Sequence, residues 1–360
     1  SYTDNQGTVE SETSSVTSVV VKANDPPTGT VTISGTAKQG ETLTASNNLA
    51  DVDGMGAITY QWSNGKTGTS ITLEQADVGS TITVTASYTD NQGTVESETS
   101  SATSAIARRM FQPQSNSELS TAIDLWVSNN ASALSTHGEI NTWDTSLITD
   151  MRNLFYRSPP LNFNSDIGNW NTSSVTDMFG MFYNCDNFNQ NISQKEVSAE
   201  DSSTGIAYTA WDTGLVTSMN QMFGAHDNFN NGEAAGLSNK PLNWNTSNVI
   251  NMYRMFYYAN AFNQDIGNWN TSKVETMKDM FRNTNAFNRD IGNWNTSNVA
   301  NMYGVFFDAN AFNKPIGNWN TSNVTDMSHM LRSTNAFNQD IGNWNTSKVT
   351  SMYCMFYYAN

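Results

Sequence analysis

Cysteine, histidine and basic residues are scarce in this sequence. Two cysteines and three histidines among 360 residues exclude a disulfide framework and a Cys/His zinc cluster. Lys and Arg total 17 against 33 Asp and Glu, so the net charge is −16. This balance argues against nucleic-acid and anionic-membrane partners, because both require a basic surface. No apolar run reaches about 18 residues, so we expect no direct membrane insertion.

Catalytic motifs are missing as well. His137, His226 and His329 share no spacing with one another or with a nucleophile, and no P-loop, G-x-S-x-G or H-E-x-x-H sequence occurs. Cys185 and Cys354 lie in repeats far apart along the chain, which argues against a disulfide between them. We therefore expect a protein that is not an enzyme and that requires no cofactor.

Two internal copies mark the first part of the chain. Residues 1–18 and 87–104 differ at a single position. We interpret residues 1–24 as the end of one repeat plus a linker, and residues 25–108 as a complete second repeat. The sequence starts inside one copy and stops inside a shorter repeat, so we expect a fragment of a longer array.

Residues 25–108 are rich in Thr, Ser and Val that alternate with polar residues, a pattern typical of half-buried strands. Gly and Asp-Gly turns separate the alternating stretches. About seven short strands predict an all-β, immunoglobulin-like sandwich with Trp62 in its core. The alternating stretches are TVTIS at 30–34, ETLTAS at 41–46, AITYQW at 57–62, SITL at 70–73 and TITVTASYT at 81–89.

This region resembles the tandem Ig-like modules of very large bacterial surface adhesins, through GTVTISGTAKQGETLTAS, LADVDGMGAITYQW and LEQADVGSTITVTASYTD. The resemblance implies that the region acts as a spacer. Asp51 and Asp53 of the DVDG sequence offer carboxylates to Ca²⁺, which prefers oxygen ligands. The alternative is an Asx-type turn without a metal. Both interpretations are open at the level of sequence.

A repeat of 25 residues fills the second part of the chain. Trp recurs at 143, 170, 211, 244, 269, 294, 319 and 344, and the last four intervals all equal 25. We number the places of each repeat from its Trp. Val or Ile holds the fifth place, Met the eighth, mostly Met and Phe the eleventh and twelfth, and Phe the eighteenth. Side chains at such fixed places are expected to stack on their own copies and form one core.

The Asn and Met residues of the repeats have structural interpretations. Asn flanks most of the Trp residues and returns at the sixteenth and nineteenth places, where stacked amides are expected to form hydrogen-bonded ladders. The N-T-S triplet after Trp matches a glycosylation sequon, and we interpret it as turn chemistry instead. We interpret the Met residues as core filler rather than as a promiscuous binding surface.

The sequence FNQDIGNWNTSKVTSMYCMFYYAN and its copies over 143–360 resemble the leucine-rich-repeat-like surface repeats of mycoplasma lipoproteins and other bacterial surface proteins. The resemblance implies a solenoid of eight Trp-marked repeats, each with a short strand and a short helical turn. Ahead of it, residues 118–130 have helical spacing, and Ser115 with Glu118 fits a capping box. We expect residues 109–142 to form the polar-faced, N-terminal helical cap of this solenoid.

The ninth and thirteenth places of the last repeats alternate between two residue types. At the thirteenth place each Arg falls between two aromatic residues, which predicts cation–π contacts. These variable places predict a solvent-facing stripe of aromatic and cationic side chains that suits a glycan or peptide. The alternative is that the stripe only reinforces the stack. The stripe consists of Tyr253, Tyr257, Tyr258, Arg282, Tyr303, Phe307, Arg332, Tyr353 and Tyr357.

These features together lead us to expect a segment of an adhesin at the bacterial cell surface. Ig-like spacers would present a solenoid that binds an extracellular glycan or protein. The alternative is a purely structural extension with no ligand of its own. Two insertions, at 193–208 and 230–240, interrupt the repeat period and are expected to be loops on one face. The alternation and the insertions favour binding, because a spacer needs no differentiated face.

Overall fold

The computed structural model describes residues 1–19, 22–202 and 204–359. The chain divides into two compact units, 1–108 and 109–360. Within the described residues, no helix is both long and apolar enough to cross a membrane.

The first unit is built from short antiparallel strands. Strand β1 (Tyr2–Thr3) pairs with β2 (Val9–Glu10) in a hairpin. Six further strands are β3 (Val31–Ser34), β4 (Thr42–Asn47), β5 (Thr59–Trp62), β6 (Ser70–Thr72), β7 (Val84–Thr89) and β8 (Val95–Thr99). They form two three-stranded sheets, of order β3-β4-β6 and β5-β7-β8.

Alternating side chains of these strands supply the core of the first unit. Leu43 of β4, Trp62 of β5 and Val84 of β7 are all buried in one cluster. The indole N–H of Trp62 donates to the carbonyl of Gly68 at 2.8 Å, which satisfies its single polar group inside the core. Each alternating stretch of the sequence contributes one strand.

The predicted immunoglobulin-like sandwich of about seven strands is nevertheless wrong. Among the described residues of this unit, 100–107 supplies no further strand. There, every third amide donates to every second carbonyl of the stretch 80–84: Ser100 to Val84, Thr103 to Ile82 and Ile106 to Ser80. Donors and acceptors with different spacings cannot form a regular ladder. The unit therefore contains the β1-β2 hairpin, two three-stranded sheets and irregular chain instead of the predicted sandwich.

Two α-helices open the second unit. Helix α1 (Asn116–Ser128) begins after Ser115, whose hydroxyl accepts the amide hydrogen of Glu118 at 3.2 Å. This contact is the one expected of an N-cap serine. Helix α2 (Asn130–His137) follows directly, and a 3-10 turn over Ile140–Thr142 leads to the first Trp.

These helices do not form the predicted polar-faced cap over 109–142. Leu119 and Ile123 of α1 are fully buried and belong to the same core cluster as the repeats. Trp126 donates its indole N–H to the hydroxyl of Ser165 at 2.8 Å. The helices are short and their buried residues belong to the core of the repeats, so the predicted polar-faced helical cap is wrong.

Single-residue parallel bridges, rather than strands, join one repeat to the next. Each bridge links the seventh place of one repeat to the seventh place of the following repeat. Among the described residues of this unit, only β9 (Lys195–Val197) and β10 (Tyr208–Ala210) are strands, and they form a hairpin that starts in the first insertion, where a loop was expected, and ends just after it. The bridging residues are Asp150, Asp177, Ser218, Asn251, Thr276, Asn301, Asp326 and Ser351.

Backbone amides of the repeats alternate between two kinds of hydrogen bond. In the repeat of Trp244, amides at the eighth, tenth, twelfth and fourteenth places donate to carbonyls of the next repeat at 2.8–3.2 Å. Amides at the eleventh, thirteenth and fifteenth places donate to the carbonyl three residues earlier at 3.0–3.3 Å. The ninth-place amide, of Tyr253, donates to the side chain of Asn251 at 2.9 Å. Every amide from the eighth to the fifteenth place thus has a partner, as a buried backbone requires.

The tenth and fourteenth places have a left-handed backbone. The φ angle is 52° at Arg254 and 60° at Tyr258, and the next repeat has 53° at Asp279 and 58° at Asn283. A left-handed residue at every fourth position interrupts both a strand and an α-helix. The predicted leucine-rich-repeat-like solenoid, with a strand and a helical turn in each repeat, is therefore wrong. Each repeat is a succession of tight turns.

Core side chains stack on their own copies, as the fixed places predicted. The rings of Trp269 and Trp294 lie 6.2 Å apart with an interplanar angle of 1°, and those of Phe281 and Phe306 lie 5.8 Å apart. The indole N–H of Trp294 also donates to the carbonyl of Ile266, 28 residues earlier in the chain, at 3.1 Å. This additional donor explains why Trp holds the place and Phe does not.

The predicted Asn ladder is also present. At the sixteenth place, the amide group of Asn285 donates to that of Asn260 at 2.6 Å, and Asn310 donates to Asn285 at 2.6 Å. In the N-T-S triplet, the side chain of Asn295 accepts the amide hydrogen of Ser297 at 3.0 Å. The triplet thus makes the turn that we expected of it.

Candidate ligand-binding site

The thirteenth-place residues form a continuous stack of cations and rings. The guanidinium carbon of Arg282 lies 5.7 Å from the ring centroid of Tyr257 and 4.3 Å from that of Phe307. The guanidinium carbon of Arg332 lies 4.8 Å from Phe307 and 5.0 Å from Tyr357. Each such contact is favourable by about 0.5–2 kcal/mol. The structure therefore brings these five residues together in the order that the sequence alternation requires.

The ninth-place residues form a second column beside the first. The guanidinium carbon of Arg254 lies 4.9 Å from the Tyr253 ring and 4.8 Å from the Tyr257 ring, and so links the two columns. The Nζ atom of Lys278 lies 4.7 Å from the ring centroid of Tyr303. Arg254 and Lys278 are thus functional candidates that we did not include in the stripe from the sequence.

A buried carboxylate lies between the cations of the first half of the stripe. Asp279, at the tenth place, has no exposed surface. Its Oδ2 accepts from the Nε of Arg254 at 3.2 Å, and its Oδ1 lies 3.5 Å from NH1 of Arg282. One carboxylate thus offsets part of the positive charge of two guanidinium groups.

A histidine takes the place of this carboxylate in the second half of the stripe. The ring of His329 lies 5.2 Å from Tyr303 and 5.3 Å from Tyr353, and its Nδ1 lies 3.4 Å from NH1 of Arg332. Burial, followed by the charges of Arg332 and Arg282, lowers the pKa of His329 below its ordinary value. This environment therefore favours the neutral form of the ring.

Most stripe side chains are partly exposed rather than protruding. The side chain of Arg282 is 24% exposed. Tyr258 is exposed and packs edge-on against Tyr257, with ring centroids 4.5 Å apart, and burial raises the pKa of Tyr257. The Nε atoms of Arg282 and Arg332 have no hydrogen-bond partner among the described residues. The site thus offers flat rings together with guanidinium groups.

The tenth place is absent from the stripe that the sequence predicts, although Asp279 and His329 at this place lie beside its arginines. Five of the eight residues there are Asn, Asp, His or Gly, which adopt a left-handed backbone more readily than other residues, whereas Gln221, Arg254 and Cys354 are not of these types. This signal was available in the sequence as a column of Asn153, Gly180, Gln221, Arg254, Asp279, Gly304, His329 and Cys354.

The carboxylates of the DVDG sequence are engaged in protein contacts. Asp53 is buried and accepts hydrogen bonds from the ammonium of Lys22 and, at 2.8 Å, from the amide of Asp25. The Lys22 hydrogen bond lowers the pKa of Asp53. Asp51 accepts from the hydroxyl of Tyr88 at 2.6 Å and from the amide of Asp53 at 2.8 Å. These contacts favour the Asx-type turn, with a lysine where a cation would bind.

Two other residues with reactive side chains, Cys185 and His226, lie in the core, whereas His137 is half-buried. Burial raises the pKa of the Cys185 thiol to about 12 and lowers the pKa of His226 to about 3. His137 packs against Phe111, with ring centroids 4.1 Å apart. In the parts of the chain that the structure describes, no group of three or more His, Cys, Asp and Glu side chains is arranged to hold a metal ion.

Comparison with known proteins places the repeat unit in a family. A family model described as "Mycoplasma protein of unknown function, DUF285" matches residues 123–206, 198–306 and 288–360. These stretches lie in the second unit and together cover more than half of the chain. No match was found among curated proteins or among solved structures. The chain belongs to the Mycoplasma protein family DUF285.

Proposed function

We propose that the chain is a segment of an adhesin on a bacterial cell surface. In this proposal the stacked repeats bind an extracellular glycan or protein through the stripe, and the unit 1–108 serves as a spacer. The observation that carries the proposal is the partly exposed thirteenth-place column, in which Arg282 and Arg332 alternate with three aromatic rings. Aromatic and Arg side chains are the residues that most often dominate binding energy at interfaces.

The different periods of core and stripe support a binding role. Core places carry the same residue type every 25 residues, whereas the stripe repeats only every 50 residues. A stack that served only itself would be stabilised equally well by one residue type at each place. The stripe also departs from the composition of the chain, because it concentrates cations in a protein whose net charge is −16.

The structural alternative rests on an observation of its own. Each stripe Arg lies between rings of the preceding and following repeats, at 4.3–5.7 Å, so it also connects the repeats. If this connection is the whole purpose of the stripe, the protein is an extension segment without a ligand. Removal of the Arg side chains distinguishes the two functions. It lowers the affinity for a ligand if the stripe is a binding site, and it lowers only the stability if the stripe is structural.

The test uses the full chain, the double variant R282A/R332A and the control K273A/K348A. The control removes two exposed cations at the fourth place, outside the stripe. Each protein is measured on glycan and extracellular-matrix protein arrays and by thermal unfolding. We expect R282A/R332A to lose at least tenfold in affinity and the control to bind like wild type. Binding that R282A/R332A leaves unchanged, with a lower melting temperature, would establish the structural alternative.

A further inference from the structure

We propose that the DVDG turn, residues 51–54, is the surface on which the end of a preceding copy of the first-unit repeat docks, and that Lys22 holds the two copies together. We call this contact the joint. The inference rests on the spacer role that the proposed function gives to unit 1–108. It explains how copies in tandem stay extended, through a cation that the chain itself supplies.

The stretch that follows the first copy is attached to the unit ahead of it. The ammonium of Lys22 donates to Asp53 and lies 3.1 Å from the carboxylate of Asp25. The backbone amide of Asp25 donates to Oδ2 of Asp53 at 2.8 Å. One carboxylate therefore holds both a side chain and the backbone of this stretch. Asn24 adds a contact on another strand, because its side chain donates to Glu96 at 2.6 Å.

Burial makes Asp53 a stronger anchor than a surface carboxylate. Its side chain is 1% exposed, whereas that of Lys22 is 56% exposed. An ion pair between two exposed side chains contributes little, because water screens both charges. A carboxylate that is removed from water instead requires donors or an opposite charge. The cation that Asp53 requires comes from Lys22, so release of Lys22 leaves a buried charge without its counter-ion.

The second copy shows where the contacts of a copy within itself end. The copies lie 86 residues apart, so Arg108 is the equivalent of Lys22. The amide of Ala107 donates to the carbonyl of Ala37 at 2.9 Å, and the amide of Gln39 donates to the carbonyl of Ala107 at 2.9 Å. A copy is thus hydrogen-bonded up to the residue directly before the Lys22 position. Successive copies are joined without a free linker between them.

Basic residues are rare in this unit and are placed selectively. Residues 1–108 contain four Lys and Arg against 12 Asp and Glu, and two of the four occupy the equivalent positions Lys22 and Arg108. Copies with such an excess of negative charge repel one another. A cation at the end of each copy offsets this repulsion at the point where the copies meet.

Trypsin digestion of the full chain tests the anchor, because trypsin cleaves after Lys22 only when the side chain leaves Asp53 and enters the protease. The matched control for Asp53→Asn is Asp51→Asn, since the described partners of Asp51 are the hydroxyl of Tyr88 and the amide of Asp53. We expect cleavage after Lys22 to become about tenfold or more faster in Asp53→Asn and to stay within about twofold of wild type in the control. Cleavage after Lys38 reports unfolding of the whole unit and should be equal in all three proteins.

A second variant leaves the turn unchanged. Lys22→Gln removes the cation, and we expect the amide hydrogen of Asp25 to exchange about tenfold or more faster than in wild type. The amide of Asn91 donates to the carbonyl of Asp53 at 3.3 Å, and its exchange should not change. Faster exchange at both amides would show that the variant opens the turn itself, which contradicts the role given to Lys22.

The joint between copies is tested in a longer chain, in which residues 1–107 are followed directly by residues 22–360. Spin labels at Thr32→Cys of both copies, in a Cys354→Ser background, report the distance between the copies by pulsed electron paramagnetic resonance. Thr32 is exposed on its strand. We expect a single narrow distance distribution, and we expect Lys22→Gln at the joint to broaden it.

Two results would overturn the joint. One is wild-type cleavage after Lys22 as fast as in Asp53→Asn, and the other is a broad distance distribution in the longer chain. Neither measurement involves the stripe, so these results leave ligand binding by the repeats untouched. A fixed joint in a protein that binds no array component would support the joint and reject the adhesin function.

Discussion

The backbone amides and carbonyls of the two units form their hydrogen bonds in different ways. In unit 1–108, paired strands such as β3 and β4 exchange hydrogen bonds in antiparallel ladders, with Val31 opposite Asn47. In the repeats, alternate amides donate to the next repeat and the others close turns within their own repeat. Ordered, fully bonded backbone is therefore possible without strands or helices when the same turn recurs at a fixed period. The stripe is built on this backbone, which holds its side chains in register.

The comparison also shows which side chains carry the stability of each unit. The core of unit 1–108 places different apolar residues on two small sheets, and each is used once. In the repeats each buried ring contacts its own copies on both sides, as Phe281 does with Phe256 and Phe306 at 5.7 and 5.8 Å. Removal of one ring in the middle of the stack therefore affects three repeats.

The largest effect is expected for Phe281→Ala. Phe281 has no exposed surface, and its removal leaves a cavity between stacked rings, which costs about 3–5 kcal/mol. The matched control is Phe356→Ala at the same place of the last repeat, where the side chain is 52% exposed and the expected loss is about 1 kcal/mol or less. Denaturant titration measures both, and equal losses would contradict the stacking account.

Acid is expected to destabilise the repeats through His226. The side chain is fully buried, its ring nitrogens have no hydrogen-bond partner within the part of the chain that the structure describes, and its pKa in the folded protein is about 3. In the unfolded chain the imidazole of His226 takes up a proton near pH 6.5, so its contribution to the free energy of unfolding is constant above that pH. Below it, this contribution lowers the free energy of unfolding by about 1.4 kcal/mol per pH unit until pH 3.

The control for this pH dependence is His226→Ala, because Ala occupies the same place in other repeats, at Ala259 and Ala309. Unfolding free energy is measured from pH 7 to pH 4.5 in both proteins. The slopes of unfolding free energy against pH should differ by about 1.4 kcal/mol per pH unit, which corresponds to the uptake of one proton. Parallel curves would show that His226 is not buried in the neutral form.

A smaller loss is expected for Thr296→Val. The hydroxyl of Thr296 is buried and donates to the carbonyl of Asn320 in the next repeat at 3.0 Å. Loss of this bond leaves a carbonyl unsatisfied and costs about 1–2 kcal/mol. Thr325→Val removes an exposed hydroxyl that donates to Ala300 at 3.1 Å and should cost under about 0.5 kcal/mol. Similar losses would contradict the distinction between buried and exposed contacts.

The smallest effect is expected from Ca²⁺. Because Lys22, two backbone amides and the hydroxyl of Tyr88 occupy the carboxylates of Asp51 and Asp53, the melting temperature of the full chain should be the same with Ca²⁺ and with a chelator. A ligand that bound only the folded state would raise it. A Ca²⁺-dependent increase that disappears in Asp53→Ala would restore the metal interpretation and contradict the observed contacts.

Periodicity predicted the side-chain arrangement better than the backbone. The stacked Trp and Phe columns, the Asn ladder and the alternation of Arg282 and Arg332 with aromatic rings followed from residues that recur at fixed places. These features depend on contacts between equivalent residues of successive repeats, which any stacked repeat provides. Periodicity does not specify the dihedral angles of the unit that is repeated, so the expected strand and helical turn were wrong.

Two local features determined where the backbone differs from the prediction, and both had weak signals in the sequence. The left-handed tenth place is held by residues as different as Arg254, Asp279 and His329, which share only a backbone conformation. In unit 1–108, alternation identified the strands, but it did not reveal that hydrogen-bond spacing along 100–107 prevents a further strand. Tertiary pairing decides such cases, and a single sequence contains little information about it.

Hydrogen exchange of the backbone amides between residues 250 and 335 tests this account most directly. The account predicts slow exchange for every amide from the eighth to the fifteenth place of each repeat, including the left-handed residues Arg254 and Tyr258, because each has a hydrogen-bond partner. The same protection should appear at the equivalent places of the next two repeats. Protection limited to the seventh-place bridges, with fast exchange at the tenth and fourteenth places, would contradict the account.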